Sequence, residues 1–383
     1  MFMIYLDNNA TTQIAPEVFE VMKPFLVEFY GNPSSAYNFG REMRREIKTS
    51  REKIADLLGA KNESEIVFTS GGTEADNWAI LGTLEANPQK KHIVTTRVEH
   101  EAVRKLCEKL ERKNFEITWL DVSEDGFLDL KELKSSLRAD TAIVSVMLAN
   151  NETGILFPVA DIAETVKENS HAIVHVDGVN AVGKIPIDLK RTKIDLFSLS
   201  GHKFHAPKGI GALYIKSGVE LPSFYIGGRQ ENGKRAGTEA VHQIAAIGAA
   251  AEFVRDISAM ETVRQLRDKL ENEILQKIPN SCINGTSDAE KRLTNTSNIS
   301  FPNLNGEAIS AKLNDAGVCV STGSACNAET HTASPVLQAM NIPYSDAMGA
   351  IRFSLGRFNT EAEVDFVLEI LPNIIAELKA MSP

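Results

Sequence analysis

The chain has 383 residues, of which 43% are apolar and 24% charged, and its net charge is 41 − 51 = −10. At roughly 150 residues per domain this is chain enough for two to three domains, and the composition excludes collagen-like, coiled-coil and disordered classes. The acidic balance argues against nucleic acid or an anionic membrane surface as a default partner.

The first residues, Met1 to Asp7, have no basic region, and their apolar run stops at Asp7, unlike a signal peptide. The longest apolar stretch, Ile244 to Val254, contains Glu252 and is about half of the ~20 residues a membrane span needs. Four cysteines, Cys107, Cys282, Cys319 and Cys326, form no CxxC pair. The reading is a cytoplasmic protein of a reducing compartment, with no membrane partner.

From residue 65 onward, strand and helix patterns alternate. Strands are predicted over 65–69, 92–96, 115–122, 142–149, 172–177, 195–200 and 209–215. Helices are predicted over 73–86, 101–113, 130–137 and 160–168. The run Ala142-Ile143-Val144-Ser145-Val146-Met147-Leu148 is apolar without alternation, as in a strand covered on both faces. This is the pattern of an α/β fold with a mostly parallel sheet flanked by helices. After about residue 255 the pattern changes to a long helix over 261–278, a strand over 297–301, a helix over 307–316, a strand over 318–321 and a last helix over 361–379. A smaller α+β domain follows from that texture. The expected division is a large domain over 15–255 and a small one made of 1–14 with 256–383.

Thr69-Ser70-Gly71-Gly72-Thr73-Glu74 lies between a predicted strand and helix. Glycines there let the backbone approach an anion at a helix N-terminus; a tight turn with a Ser or Thr cap is the plainer reading. Gly178 to Lys184 fits GxxxxGK, but Ile185 and Pro186 follow, where a phosphate loop needs Ser or Thr and an opening helix. No GxGxxG occurs. Asp177 closes an apolar strand, at the sheet edge where α/β folds bind ligands. Lys203, in Ser200-Gly201-His202-Lys203, is a candidate Schiff-base lysine if desolvated. His202 and His205 have no third partner with zinc-ligand spacing.

Taken together, these motifs resemble one family, the NifS/IscS-type cysteine desulfurases of pyridoxal-phosphate fold-type I. The resemblance is carried by Tyr5 to Thr12 (YLDNNATT), Gly31 to Ser35 (GNPSS), the Thr69–Glu74 run, Val98-Glu99-His100 and Asn150 to Gly154 (NNETG). It continues through the Lys203 motif, Arg235 to Glu239 (RAGTE), Ser321 to Cys326 (STGSAC) and Ile351 to Arg357 (IRFSLGR). It implies a seven-stranded, aminotransferase-like large domain, pyridoxal 5'-phosphate as cofactor and conversion of L-cysteine to L-alanine. On it, Lys203 holds the cofactor and Asp177 pairs with its pyridine nitrogen. His100 stacks on the ring and assists proton transfer. Gly72, Thr73, Ser200 and His202 hold the phosphate, with Thr238 reaching in from a second subunit of a homodimer. Asn151 contacts cofactor and substrate, and Arg352 binds the substrate carboxylate. Cys326 takes the sulfur as a persulfide and is also a candidate transient ligand of a nascent iron–sulfur cluster. The sulfur acceptor implied is a NifU/IscU-like scaffold, with a tRNA-thiolation enzyme as a second possibility.

Two positions depart from the family pattern. Asn180 stands where most members have a glutamine that contacts the cofactor's phenolic oxygen, and Gly178 is unusual beside Asp177. The remaining cysteines read as structural: Cys107 on the apolar stripe of its helix, Cys319 in a strand, and Cys282 without a partner. Another fold-type I enzyme, a selenocysteine lyase or an aminotransferase, is the alternative. An aminotransferase gives Cys326 nothing to do.

Overall fold

The structure is a computed structural model that describes residues 3–322 and 332–381. After β1 (Ile4–Tyr5), seven strands build the central sheet. They are β2 (Ile66–Thr69), β3 (His92–Thr96), β4 (Glu116–Leu120), β5 (Thr141–Met147), β6 (Ile173–Asp177), β7 (Leu196–Ser200) and β8 (Gly211–Ile215). Across the sheet they lie in the order β2-β8-β7-β6-β5-β3-β4. Only β8 runs against its neighbours, β2 and β7. The other pairings are parallel. The fold is therefore α/β with a mostly parallel seven-stranded sheet. Every residue of β5 is buried, which is why its sequence does not alternate.

Two long helices were not legible as such in the sequence. Helix Asn38–Leu57 buries Met43, Ile47, Ser50 and Ile54, but its stripe is narrow and charged residues dominate its length. Helix Val241–Val254 buries Ile244, Ala245, Ala246, Ile247, Ala250, Ala251 and Val254. It is apolar on nearly all sides because it is enclosed, not because it meets lipid. Among the described residues no helix is long and apolar enough to cross a membrane.

The C-terminal third adds β9 (Cys282–Ile283), β10 (Thr296–Ser300), β11 (Val318–Cys319), β12 (Ser321–Thr322) and β13 (Ala350–Ser354). An antiparallel sheet runs β12-β13-β10-β9, and β1 pairs in parallel with β11. The strand expected over 318–321 is thus two short strands in different sheets. The chain changes partners at Val320.

One apolar cluster surrounds the central sheet and also takes in Leu293, Leu337 and Met340. A second gathers Ile4, Leu6, Leu270, Ile299, Phe353 and Leu371. The N-terminal segment bridges the two regions. The Asn8 N–H donates to Ser354 O at 3.0 Å, and the Thr12 N–H to His202 O at 2.8 Å. Residues 7–12 therefore cross from the small sheet to the turn that carries Lys203.

Candidate active site

The carboxyl ends of β5, β6 and β7 face the N-terminus of helix Gly72–Ala86 around a cavity of about 220 Å³. This is the edge at which open α/β sheets bind ligands. Gly72, Thr73, His100, Asn151, Asp177, Asn180, Ser200, His202 and Lys203 all line it. A larger recess lies beside Arg51. There Arg51 and Glu231 form an ion pair at 2.6 Å.

One end of the cavity is built for an anion. Among the described residues no side chain caps helix Gly72–Ala86, whose preceding residue, Gly71, has φ 155° and ψ −177°. That conformation is essentially restricted to glycine. It leaves the first helical N–H groups and the positive end of the helix dipole available. A Cβ at Gly71 would sit 3.7 Å from Ser200 Oγ. Burial, with Lys203 beside it, pushes His202 down to about 4. Its ring is neutral at neutral pH, with Nδ1 3.2 Å from Thr11 Oγ1.

The opposite side is acidic and buried. Asp177 ends β6, and its Oδ1 accepts from the Val179 N–H at 2.9 Å. Burial raises its pKa, while His100 and Lys203 pull it back. Beneath it, His175 is buried, with Nδ1 2.9 Å from Ser145 Oγ and Nε2 2.9 Å from Ser198 Oγ. Burial pushes this ring down to about 3. His100 caps helix Glu101–Glu111, its Nδ1 accepting from the Ala102 N–H at 3.1 Å. That bond leaves Nε2 as the protonated nitrogen of the neutral ring. Desolvation lowers the His100 pKa and outweighs the pull of Asp177.

Two further buried acids, given no role in the sequence reading, act on Asp177: Asp76, itself a wall of the cavity, and Glu99. Burial and the Asp177 charge hold Asp76 well above the carboxylate range. Burial pushes Glu99 up to about 8, although its Oε1 accepts from Thr96 Oγ1 at 2.6 Å and from the Met147 N–H at 3.1 Å. Glu99 is therefore largely protonated at neutral pH, and the burial that disfavours charge on Asp76 works on Asp177 as well, where His100 and Lys203 oppose it. This has a consequence for stability. Unfolded Glu99 loses its proton near 4.5 and folded Glu99 near 8. Between these values unfolding releases a proton, so stability falls as pH rises, by up to about 1.4 kcal/mol per pH unit. Glu99→Gln is expected to remove that component of the slope in urea melts taken from about pH 5 to about pH 8. Equal slopes in the two proteins would contradict a neutral Glu99.

Lys203 lies in the turn Gly201–Lys203 after β7, and its Nζ donates to the Asn9 carbonyl. Arg352, on β13, is not a cavity wall but stands next to it. Its Nη1 donates to the Asn151 carbonyl at 2.9 Å and its Nη2 to Asp7 Oδ1 at 2.6 Å. Among the described residues its buried Nε has no partner. Asn9 Nδ2 donates to the same Asn151 carbonyl at 3.1 Å. Asp7 and Asn9 were visible only as part of the N-terminal motif, with no role attached. Asp7 meets Arg352, 345 residues on, and Asn9 meets Asn151, 142 residues on.

A model of the aminotransferase class-V family matches residues 4–367. The chain belongs to the class-V aminotransferase family. A cysteine desulfurase of Trichormus azollae is 51% identical over 385 aligned positions, covering 100% of this chain and 95% of that protein. The cysteine desulfurase NifS of Azotobacter vinelandii is 46% identical, covering 99% and 94%. Among solved structures, a NifS-like protein superposes with a TM-score of 0.92 at 38% identity, covering 98% of this chain and 100% of that one. A NifS-like protein from Rickettsia africae gives 0.87 at 32%, with the same coverage. The fold is that of pyridoxal-phosphate fold-type I.

Class-V members depend on pyridoxal 5'-phosphate, and the cavity fits it. An uncapped helix N-terminus with Ser200 and Thr73 suits a phosphate. Among the described residues the buried Asp177 has no ion-pair partner, as a site for a protonated ring nitrogen requires. Lys203 is close enough to line the same space.

Nine of the expected site residues thus share one cavity. Thr238 does not; it is exposed and lines a separate recess with Ser70 and Glu239. Cys326 lies outside the described residues. Cys107 is buried, and burial pushes its thiol up to about 12. Cys319 is in β11. Cys282 is exposed rather than part of the core. Among the described residues no cluster of His, Cys, Asp or Glu could hold a metal ion. The glycine at 178 has a local cause. A Cβ there would fall 1.9 Å from Phe197 Cζ, so the fully buried Phe197 ring occupies the space another residue would use. Asn180 does line the cavity, with its Oδ1 engaged by Lys184.

Proposed function

We propose that the protein is a pyridoxal-phosphate-dependent cysteine desulfurase. It converts L-cysteine to L-alanine and passes the sulfur, as a persulfide on Cys326, to an acceptor for iron–sulfur cluster assembly. The observation that carries this reading is the convergence of Lys203, Asp177 and an uncapped helix N-terminus on one cavity, with Arg352 alongside. The full-length identity to cysteine desulfurases supports it.

Lys203 holds the cofactor, Asp177 keeps a proton on its ring nitrogen, and Gly72, Thr73, Ser200 and His202 hold its phosphate. When bound, the cofactor supplies an electron sink for charge at the substrate Cα. The Lys203 amine takes the Cα proton, and His100 assists proton movement at the ring. Arg352 and Asn151 orient the substrate, Arg352 through its carboxylate. The Cys326 thiolate attacks the substrate Sγ, the Cβ–Sγ bond breaks, and a proton at Cβ completes alanine. Cysteine plus a thiol gives alanine plus a persulfide, so no oxidant is needed.

Thr238, exposed and away from its own chain's cavity, suits a homodimer in which each copy completes the other's phosphate site. A NifU/IscU-like scaffold is the proposed acceptor. The division into a large domain over 15–255 and a small one made of 1–14 with 256–383, and a cytoplasmic location, belong to the same reading.

The test is product analysis. With cysteine and a thiol reductant, alanine and sulfide should appear in equal amounts. Pyruvate and ammonia, or a keto acid without sulfide, would contradict the reading. Arg352→Lys keeps the charge but loses the planar fork. It is expected to raise KM for cysteine about tenfold or more, with a smaller effect on kcat. An unchanged KM would remove Arg352 from substrate binding.

A further inference from the structure

Lys184 has no part in the scheme above. In the sequence it ends the GxxxxGK run that fails as a phosphate loop. In the structure it is 7% exposed, and among the described residues its amine bonds only neutral amide oxygens. Its Nζ donates to Asn180 Oδ1 and to Asn9 Oδ1, each at 2.8 Å. Burial, with Lys203 and Arg352 nearby, holds its pKa well below the usual lysine range. A buried amine without an acid partner is costly, and a methionine of similar length would fill the space without that cost.

What the amine does provide is direction. An amide has an accepting end and a donating end. Asn180 Nδ2 donates to the Asn150 carbonyl at 3.2 Å, and a carbonyl can only accept. Lys184 occupies the other end, Oδ1. Asn180 is therefore fixed from both sides, and its uncommitted polar group is the second Nδ2 hydrogen. Asn180 is a wall of the cavity. Asn9 extends the connection. Its Oδ1 accepts from Lys184, and its backbone carbonyl accepts from Lys203. Its Nδ2 shares the Asn151 carbonyl with Arg352.

We propose that Lys184 is a positioning residue: it holds the Asn180 amide with its N–H free for an acceptor oxygen of the bound cofactor, and through Asn9 links that donor to Lys203 and Arg352. This rests on the reading of the cavity as a pyridoxal-phosphate site.

Lys184→Met removes the donor at similar bulk, Lys184→Gln returns one, and Asn180→Ala removes the amide. Each holoprotein is purified, and the visible cofactor band and the rate of pyridoxal-phosphate release on dilution are measured. Lys184→Met is expected to shift the band and release cofactor about three- to tenfold faster. Asn180→Ala should do the same. The double variant should be no faster than Asn180→Ala, and Lys184→Gln should recover part of the loss. An unchanged band and rate in Lys184→Met overturns the proposal. So do effects that multiply in the double variant, or a Lys184→Gln protein indistinguishable from Lys184→Met. Should Lys184→Met fail to fold, Asn180→Ala decides, and a wild-type release rate there overturns the proposal. A wild-type protein that takes up no pyridoxal phosphate overturns the underlying reading instead.

Discussion

Lys203→Ala is expected to abolish the visible absorption of bound cofactor and to lower desulfuration by at least about a thousandfold. Two functions are lost together: the covalent hold on the cofactor and the amine that takes the Cα proton. The surroundings of Lys203 explain why no neighbour substitutes. Lys184, the nearby alternative amine, is tied to Asn9 and Asn180. His100 is committed through Nδ1 to its own helix. Absorbance spectra and a sulfide assay on the same preparation check this. A variant that stays yellow and turns over within about tenfold of wild type would remove Lys203 from the mechanism.

Cys326→Ala is expected to separate these two functions. The band should remain, because the cavity residues are untouched, while sulfide release falls by at least about a hundredfold. The other thiols are poor substitutes: Cys107 is buried and its thiol is pushed up to about 12, and Cys319 lies within β11. Cys282, though exposed, has its thiol raised by partial burial and lies in β9, at the end of the small sheet. Normal sulfide release from Cys326→Ala would show that another nucleophile does the work.

The central sheet was legible because its strands are short apolar or β-branched runs, some closed by a polar residue such as Asp177 or Ser200. Asp177 and Ser200 could be placed for the same reason: each terminates such a run, and strand ends face the cavity. Helix Asn38–Leu57 was obscured by its charged residues, and helix Val241–Val254 by apolarity on nearly all sides, which gives no periodicity to read. Contacts between distant segments left no mark in any local pattern; those that were expected came from the family resemblance. The pairing of Asp7 with Arg352 depends on β1 and β13 lying beside the same small region, which no local pattern records. Asp76 and Glu99 look like ordinary helix and loop acids in sequence. Only burial beside Asp177 raises their pKa values. Lys184 was visible only as part of a motif that failed, and its bonds to Asn9 and Asn180 needed the fold.

The central claim is that sulfur leaves cysteine by passing to Cys326. Its most direct test is a single turnover of the wild-type holoprotein with cysteine in the absence of reductant, followed by mass spectrometry of the peptides and quantitation of alanine. The account predicts one added sulfur atom on the peptide containing Cys326, removable by a thiol reductant, with one alanine formed per sulfur carried. Alanine formed with that peptide unmodified, or the sulfur found on Cys107, Cys282 or Cys319 instead, would contradict it.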